Sequence, residues 1–241
     1  MKKIFRTVLY TIISLVVTIF IFGLILAFVP TESKTNRVGI SPEEAAEGRQ
    51  NFKGANQQFT TTDGETLFLR RWNPDSLAPA KKDIAVLILH GITAHGGAYN
   101  MAGVPISAGG CTTFGLDYRG HGLSGGNRGD SPSKERWIAD LAEPVKYING
   151  LGFSKVIILG HSLGVASAIC AANAIQISGL VLLSGAYEGK KGLSAPPTLF
   201  EKTKILASSI FRPSYQAVEY YRKGMTVTKG SCSILDIRYG F

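Results

Sequence analysis

The chain has 241 residues, 45% hydrophobic and 18% charged, with a formal net charge of +9. That is enough for one domain with a sizeable core and a short extra segment, and it excludes both a disordered chain and one made only of membrane spans. The positive excess sits at the ends, at +3 for residues 1–57, +1 for 58–185 and +5 for 186–241.

Val8 to Val29 is a run of 22 residues without a charge. As a helix it would measure ~33 Å, against a bilayer core of ~30 Å. Lys2, Lys3 and Arg6 precede it and Glu32 follows. Residues 1–30 therefore predict a single-pass membrane anchor, with the N-terminus cytoplasmic and the rest extracytoplasmic. The rivals are a cleaved signal peptide, whose apolar region is usually ~7–15 residues, and a buried soluble helix. Charged ends suit an anionic membrane surface. No basic stripe is interleaved with aromatics, so no nucleic acid is expected as a partner.

Residues 31–56, with Pro42, Glu43, Glu44 and Glu47, read as a linker with room for one short helix. Residues 57–187 carry the regular pattern. Gln58–Thr62 and Thr66–Trp72 flank Asp63-Gly64, a hairpin signal. Ile84–Leu89 and Cys111–Tyr118 are apolar runs of the kind found in strands buried on both faces. Pro132–Gly150 predicts a helix with Ser131 as N-cap and Trp137, Leu141, Val145 and Ile148 on one face. Lys155–Leu159 predicts a strand, 163–174 a helix and Leu180–Ser184 a strand. An antiparallel hairpin followed by strand–helix alternation predicts an α/β fold with a mostly parallel sheet. Cys111, Cys170 and Cys232 are widely spaced with no C-x-x-C, which argues against a disulfide framework or a zinc site. Cys111 and Cys170 are expected in the core. Residues 188–241 break the pattern. Pieces around Leu199–Ile210 and Ser214–Lys223 suggest the start of a helical cap, and the tail looks aberrant.

The chemistry centres on Gly160-His161-Ser162-Leu163-Gly164. A β-branched run, a G-x-S-x-G turn and then an Ala-rich helix is the context of a nucleophile elbow. Ser162 is the candidate nucleophile, and its hydroxyl needs an adjacent base. The Leu163 N–H is the expected first donor to a tetrahedral oxyanion. The second should come from the loop His90–Tyr99, where Gly91 lets the backbone turn so that the Ile92 N–H faces the site. His90 and His95 are read as scaffold residues, and His161 as pointing away from the reactive face.

Leu89-His90-Gly91, His95-Gly96, Leu116-Asp117-Tyr118-Arg119-Gly120-His121-Gly122-Leu123-Ser124 and the elbow, in this order, resemble the α/β-hydrolase fold. The closest resemblance is to the monoacylglycerol lipase and lysophospholipase group, the serine aminopeptidase-like hydrolases. It covers residues 57–187 well, reaches the cap weakly and does not cover the anchor. It implies acyl-enzyme hydrolysis of small-molecule or lipid-like carboxylic esters, with no metal or organic cofactor. It also implies that Asp117 supports a loop near the site and is not the triad acid.

The family's acid and histidine come after the cap. Here the four histidines are His90, His95, His121 and His161, and none follows Ser162. Asp236 is the only late aspartate and a weak candidate. The expectation is a truncated or frame-shifted product lacking the C-terminal strands. Two readings stand: a membrane-anchored serine ester hydrolase of which this is the N-terminal portion, or a non-enzymatic remnant or membrane-anchored binding protein.

Overall fold

Helix α1 (Lys2–Phe28) takes in Lys2, Lys3 and Arg6 and the uncharged run as far as Phe28, and its apolar side chains are bare except near Leu26 and Ala27. The computed structural model describes residues 2–30, 40–75, 80–92, 94–185 and 198–212. Within the linker, α2 (Pro42–Asn51) forms because Ser41 and Glu44 close a capping box and Pro42 fits the first turn.

The hairpin is β1 (Asn56–Thr60) and β2 (Thr66–Trp72), paired from Asn56 with Arg70 to Thr60 with Thr66. The first strand lies two residues earlier than its sequence suggested, because Thr61 belongs to the turn. Thr61 N–H donates to the Glu65 carbonyl at 2.8 Å, and its hydroxyl donates to Asp63 at 2.6 Å. Then follow β3 (Ile84–Leu89), a short 3-10 turn (Gly96–Tyr99), α3 (Asn100–Ala108), β4 (Thr112–Asp117), α4 (Lys134–Gly150), β5 (Lys155–His161), α5 (Leu163–Ala174), β6 (Gly179–Leu183) and α6 (Leu199–Phe211).

The six described strands form one sheet in the order β1-β2-β4-β3-β5-β6. The β1–β2 and β2–β4 pairs are antiparallel, and the other three are parallel. This is the expected α/β sheet with an opening hairpin. Alternate residues of the central strands point to opposite faces. Leu87, Leu89 and Ile158 pack with Leu141, Val145 and Ala168 of α4 and α5. Val86, Ile88 and Leu159 face the other way, toward Ala102 and Ile106 of α3.

Helix α4 begins two residues later than expected. Its N-cap is Ser133, whose hydroxyl accepts from the Arg136 N–H at 3.1 Å, whereas the Ser131 hydroxyl turns to the Ser133 carbonyl at 3.3 Å. Cys111 and Cys170 are half-buried at the edges of the core, not inside it. Helix α6, read as part of a cap, packs along the end of α1. The piece at 214–223 and the tail fall outside the described residues, as does Asp236.

Candidate active site

Ser162 lies between the last residue of β5 and the first of α5, with φ 56° and ψ −117°. Positive φ is rare for a residue with a Cβ, and the surroundings must hold it there. The Ser162 N–H donates to the Leu183 carbonyl of β6 at 3.0 Å, and its carbonyl accepts from the Val165 N–H at 3.0 Å. The two glycines of the motif let α5 and β3 close in. A Cβ on Gly160 would strike the Gly164 carbonyl oxygen, and one on Gly164 would strike that of Leu89. The strand–turn–helix reading of 155–174 therefore matches the structure.

The loop after β3 lies against the serine. A Cβ on Gly91 would stand 3.2 Å from the Ser162 Cβ. The Gly91 N–H is committed to the Tyr99 hydroxyl at 2.8 Å. The next N–H, that of half-buried Ile92, continues the same backbone turn. Leu163 is the first residue of α5, so its N–H has no carbonyl to meet within the helix. These are the positions an oxyanion pocket would use.

Each histidine holds part of this frame through Nδ1. Fully buried His90 donates from Nδ1 to the Gly91 carbonyl at 2.7 Å, and its Nε2 accepts from the Tyr118 N–H at 3.3 Å. Burial, seconded by the nearby His121 and His95, pushes its pKa well down and keeps it neutral. His95 accepts from the Gly97 N–H at 3.1 Å and caps the 3-10 turn. Burial lowers its pKa although Asp117 opposes this. His121 Nδ1 meets the Arg119 carbonyl at 3.0 Å. Burial pushes its pKa down to about 4, against the pull of that carbonyl and with the help of Arg128. His161 Nδ1 meets the Tyr99 hydroxyl at 2.8 Å.

Asp117, fully buried at the end of β4, ties two loops together. Oδ1 accepts from the Gly96 N–H at 2.6 Å, and Oδ2 from the Leu123 N–H at 2.8 Å. Arg70 reaches Oδ2 at 3.4 Å. Ser124 donates to the Asp117 carbonyl and accepts from the Phe68 N–H. Arg119 of the same block grips Asp140 of α4 through Nε at 2.6 Å and Nη2 at 2.9 Å, and Asp63 at 2.8 Å. The D-x-R-G-x-G-x-S block is thus a clamp joining β2, β4 and α4 beneath the loops.

Sequence reasoning did not single out Tyr99 or Asp140. Tyr99 joins the β3 loop to the elbow by accepting from the Gly91 N–H and meeting His161. Its signal was its place at the end of the loop His90–Tyr99. Asp140 stood out only as an acid beside Leu141 on the apolar side of α4.

The family described as Hydrolase_4, serine aminopeptidase S33, matches residues 80–227. The chain belongs to this α/β-hydrolase family. Among curated relatives, this α/β-hydrolase is 34% identical over 140 residues to the uncharacterised protein YnbC of Escherichia coli K12, covering 55% of this chain and 23% of that one. It is 28% identical over 155 residues to the monoacylglycerol lipase of Mycolicibacterium smegmatis, covering 61% of this chain and 52% of the lipase. The crystal structure of the α/β-hydrolase GrgF from Penicillium sp. sh18 superposes with a TM-score of 0.52 at 18% identity, covering 65% of this chain and 52% of that one, a likeness of fold alone. The chain thus spans about half the length of the lipase and under a quarter of YnbC.

Proposed function

We propose that this polypeptide carries the nucleophile half of a membrane-anchored serine hydrolase acting on lipid-like carboxylic esters. The observation that supports this best is Ser162 at φ 56° on a strand–helix junction, with the Gly91 loop pressed against it. In the proposed reaction Ser162 Oγ loses its proton to a base and attacks the ester carbonyl carbon. The Ile92 and Leu163 N–H groups hold the resulting oxyanion, which collapses and expels the alcohol. Water then hydrolyses the acyl-enzyme. The relatives named as monoacylglycerol and monoglyceride lipases support a monoacylglycerol type of substrate, and the lysophospholipid type rests on the sequence resemblance alone. Anchoring rests on α1, long and apolar enough to cross a membrane.

No histidine follows Ser162, and the four upstream histidines have Nδ1 tied into the scaffold. In this reading the base and its orienting acid lie outside these 241 residues.

The test is labelling with a fluorophosphonate probe. The 241-residue chain is expected to stay unlabelled. A chimera continued by the C-terminal half of the Mycolicibacterium lipase is expected to label, and Ser162→Ala in the chimera to abolish it. Ser162-dependent labelling of the chain alone would assign the base to an upstream histidine. A folded chimera that stays unlabelled would favour the non-enzymatic reading.

A further inference from the structure

We propose that α6 is a second membrane element, a half-length helix that runs antiparallel along the C-terminal part of α1 into the same bilayer leaflet. This rests on the proposal that α1 is a membrane anchor.

The contacts fix the direction of α6. Lys204 Nζ donates to the Pro30 carbonyl at 2.9 Å. One turn on, Ala207 packs with Leu26 and Ala27. At the far end of α6, the Phe211 ring meets the Phe20 ring edge-on at 5.1 Å, and a Cβ on Gly23 would come within 3.2 Å of it. As α6 advances from 204 to 211, its partners on α1 retreat from 30 to 20. At ~1.5 Å per residue, Phe211 lies ~10–14 Å deeper along α1 than its last apolar residue.

The interface is built as membrane helix pairs are. Gly23, Ala27 and Ala207 are small, which lets the backbones approach, and Ala27 and Ala207 are almost fully buried. The end of α1 gives the pair its polar specificity. Its last carbonyls have no helical partners, and its last turn contains no basic residue. Lys204 and Arg212 of α6 supply cations there. Arg212 reaches back to the Ala27 carbonyl at 3.4 Å and lies over the Phe28 ring at 4.7 Å. Both side chains thus point toward the end of α1 that faces the hydrolase domain, as cations anchored in apolar surroundings do. They also complement the negative end of the α1 dipole.

The outward face of α6 names its occupant. Leu199, Leu206 and Ile210 fall on one stripe and are 82%, 63% and 65% exposed. Around the contact, Phe20, Leu24 and Phe28 of α1 are themselves 57%, 38% and 59% exposed, so the lipid that surrounds α1 also meets α6. With 13 residues, α6 measures ~20 Å and cannot cross the bilayer. It enters one leaflet beside the anchor and holds the hydrolase domain against that surface.

The test is spin-label accessibility in the full chain, reconstituted into phosphatidylcholine vesicles with Cys111, Cys170 and Cys232 replaced by serine. Labels are placed at Leu206→Cys and Ile210→Cys, with Val16→Cys as a site on α1 and Glu135→Cys as a site in water. Broadening by oxygen is expected to exceed broadening by a nickel chelate at 206 and 210, as at 16, with the reverse at 135. Chelate-dominated broadening at 206 and 210, with position 16 still oxygen-dominated, would overturn the inference and leave the anchor standing. Inaccessibility to both reagents would also overturn it, because protein would then cover the stripe. Chelate access at 16 would overturn the anchor itself. Adding Ala207→Phe to the Ile210→Cys chain is expected to move position 210 toward the chelate. No movement would show that α6 meets lipid without α1.

Discussion

His90 and Asp117 each occupy a place where a single side chain fixes more than one loop. Ser162 keeps a backbone conformation that costs on the order of 1–3 kcal/mol, and β6 and α5 hold it by main-chain bonds. This feature could be read from sequence because the glycines on either side record a steric demand. The histidines were legible only in part. His90-Gly91 announced an oxyanion loop, but the partners of Tyr99 are the Gly91 N–H and His161, brought together only by folding. Burial has a further consequence at this scale. His121 titrates at about 4 in the folded chain, and His90 is pushed down in the same direction, whereas an unfolded histidine titrates near ~6.5. Between those values the unfolded chain binds protons that the folded chain refuses, so stability rises with pH. The contribution is complete above about pH 6.5 and is lost as pH falls toward 4. Urea midpoints of the detergent-solubilised chain are expected to drop between pH 7 and pH 5, with a shallower drop for His121→Asn. Equal slopes for the two proteins would remove His121 from this account.

At the scale of elements, periodicity located every described strand, and it failed where side chains compete for the backbone. The hairpin slid because Thr61 prefers the turn. Helix α4 began late because Ser133, not Ser131, caps it. Neither competition is visible in a hydrophobic pattern. The junction of β2, β4 and α4 depends on polar groups inside an apolar setting. Arg119 and Asp140 are 5% and 2% exposed and meet through two short hydrogen bonds, with Arg136 adding a third to the same carboxylate at 2.9 Å. Such an ion pair adds little over an apolar substitute, but removing one partner strands the other charge. Asp140→Asn is therefore expected to destabilise the chain by about 3 kcal/mol, whereas Asp83→Asn, in an exposed pair with Lys155, is expected to leave stability almost unchanged. Chemical denaturation of the two variants checks this. Similar losses would mean that α4 is held by its Leu141, Val145 and Ile148 face alone.

At the scale of the whole molecule, two apolar surfaces among the described residues stand outside the core, and they differ in kind. Leu180 to Leu183 of β6 are exposed at the side of the sheet where, among the described residues, only β5 pairs with them. A strand apolar on both faces belongs inside a sheet. The relatives are about twice the length covered here, which is consistent with a sheet that continues beyond β6 in the complete family fold. The second surface is α1 with α6, and its association could not be read from sequence. Apolar periodicity marks a face as buried without naming what covers it, so the pattern of Leu199–Ile210 did not show that it packs on α1. If α1 spans the bilayer, the full chain is expected to stay with the membrane pellet after an alkaline carbonate wash. Deleting residues 2–30 removes the only described helix long enough to cross, and leaves α6 with its apolar stripe and without its partner. That variant is expected to be released by carbonate yet to bind phosphatidylcholine vesicles peripherally, because a ~20 Å helix can enter one leaflet but not span two. Recovery of a soluble product beginning near residue 30 from the undeleted chain would identify a signal peptide. In that case α6 would lose its partner in the mature protein, and the α1–α6 pair would have no function after cleavage.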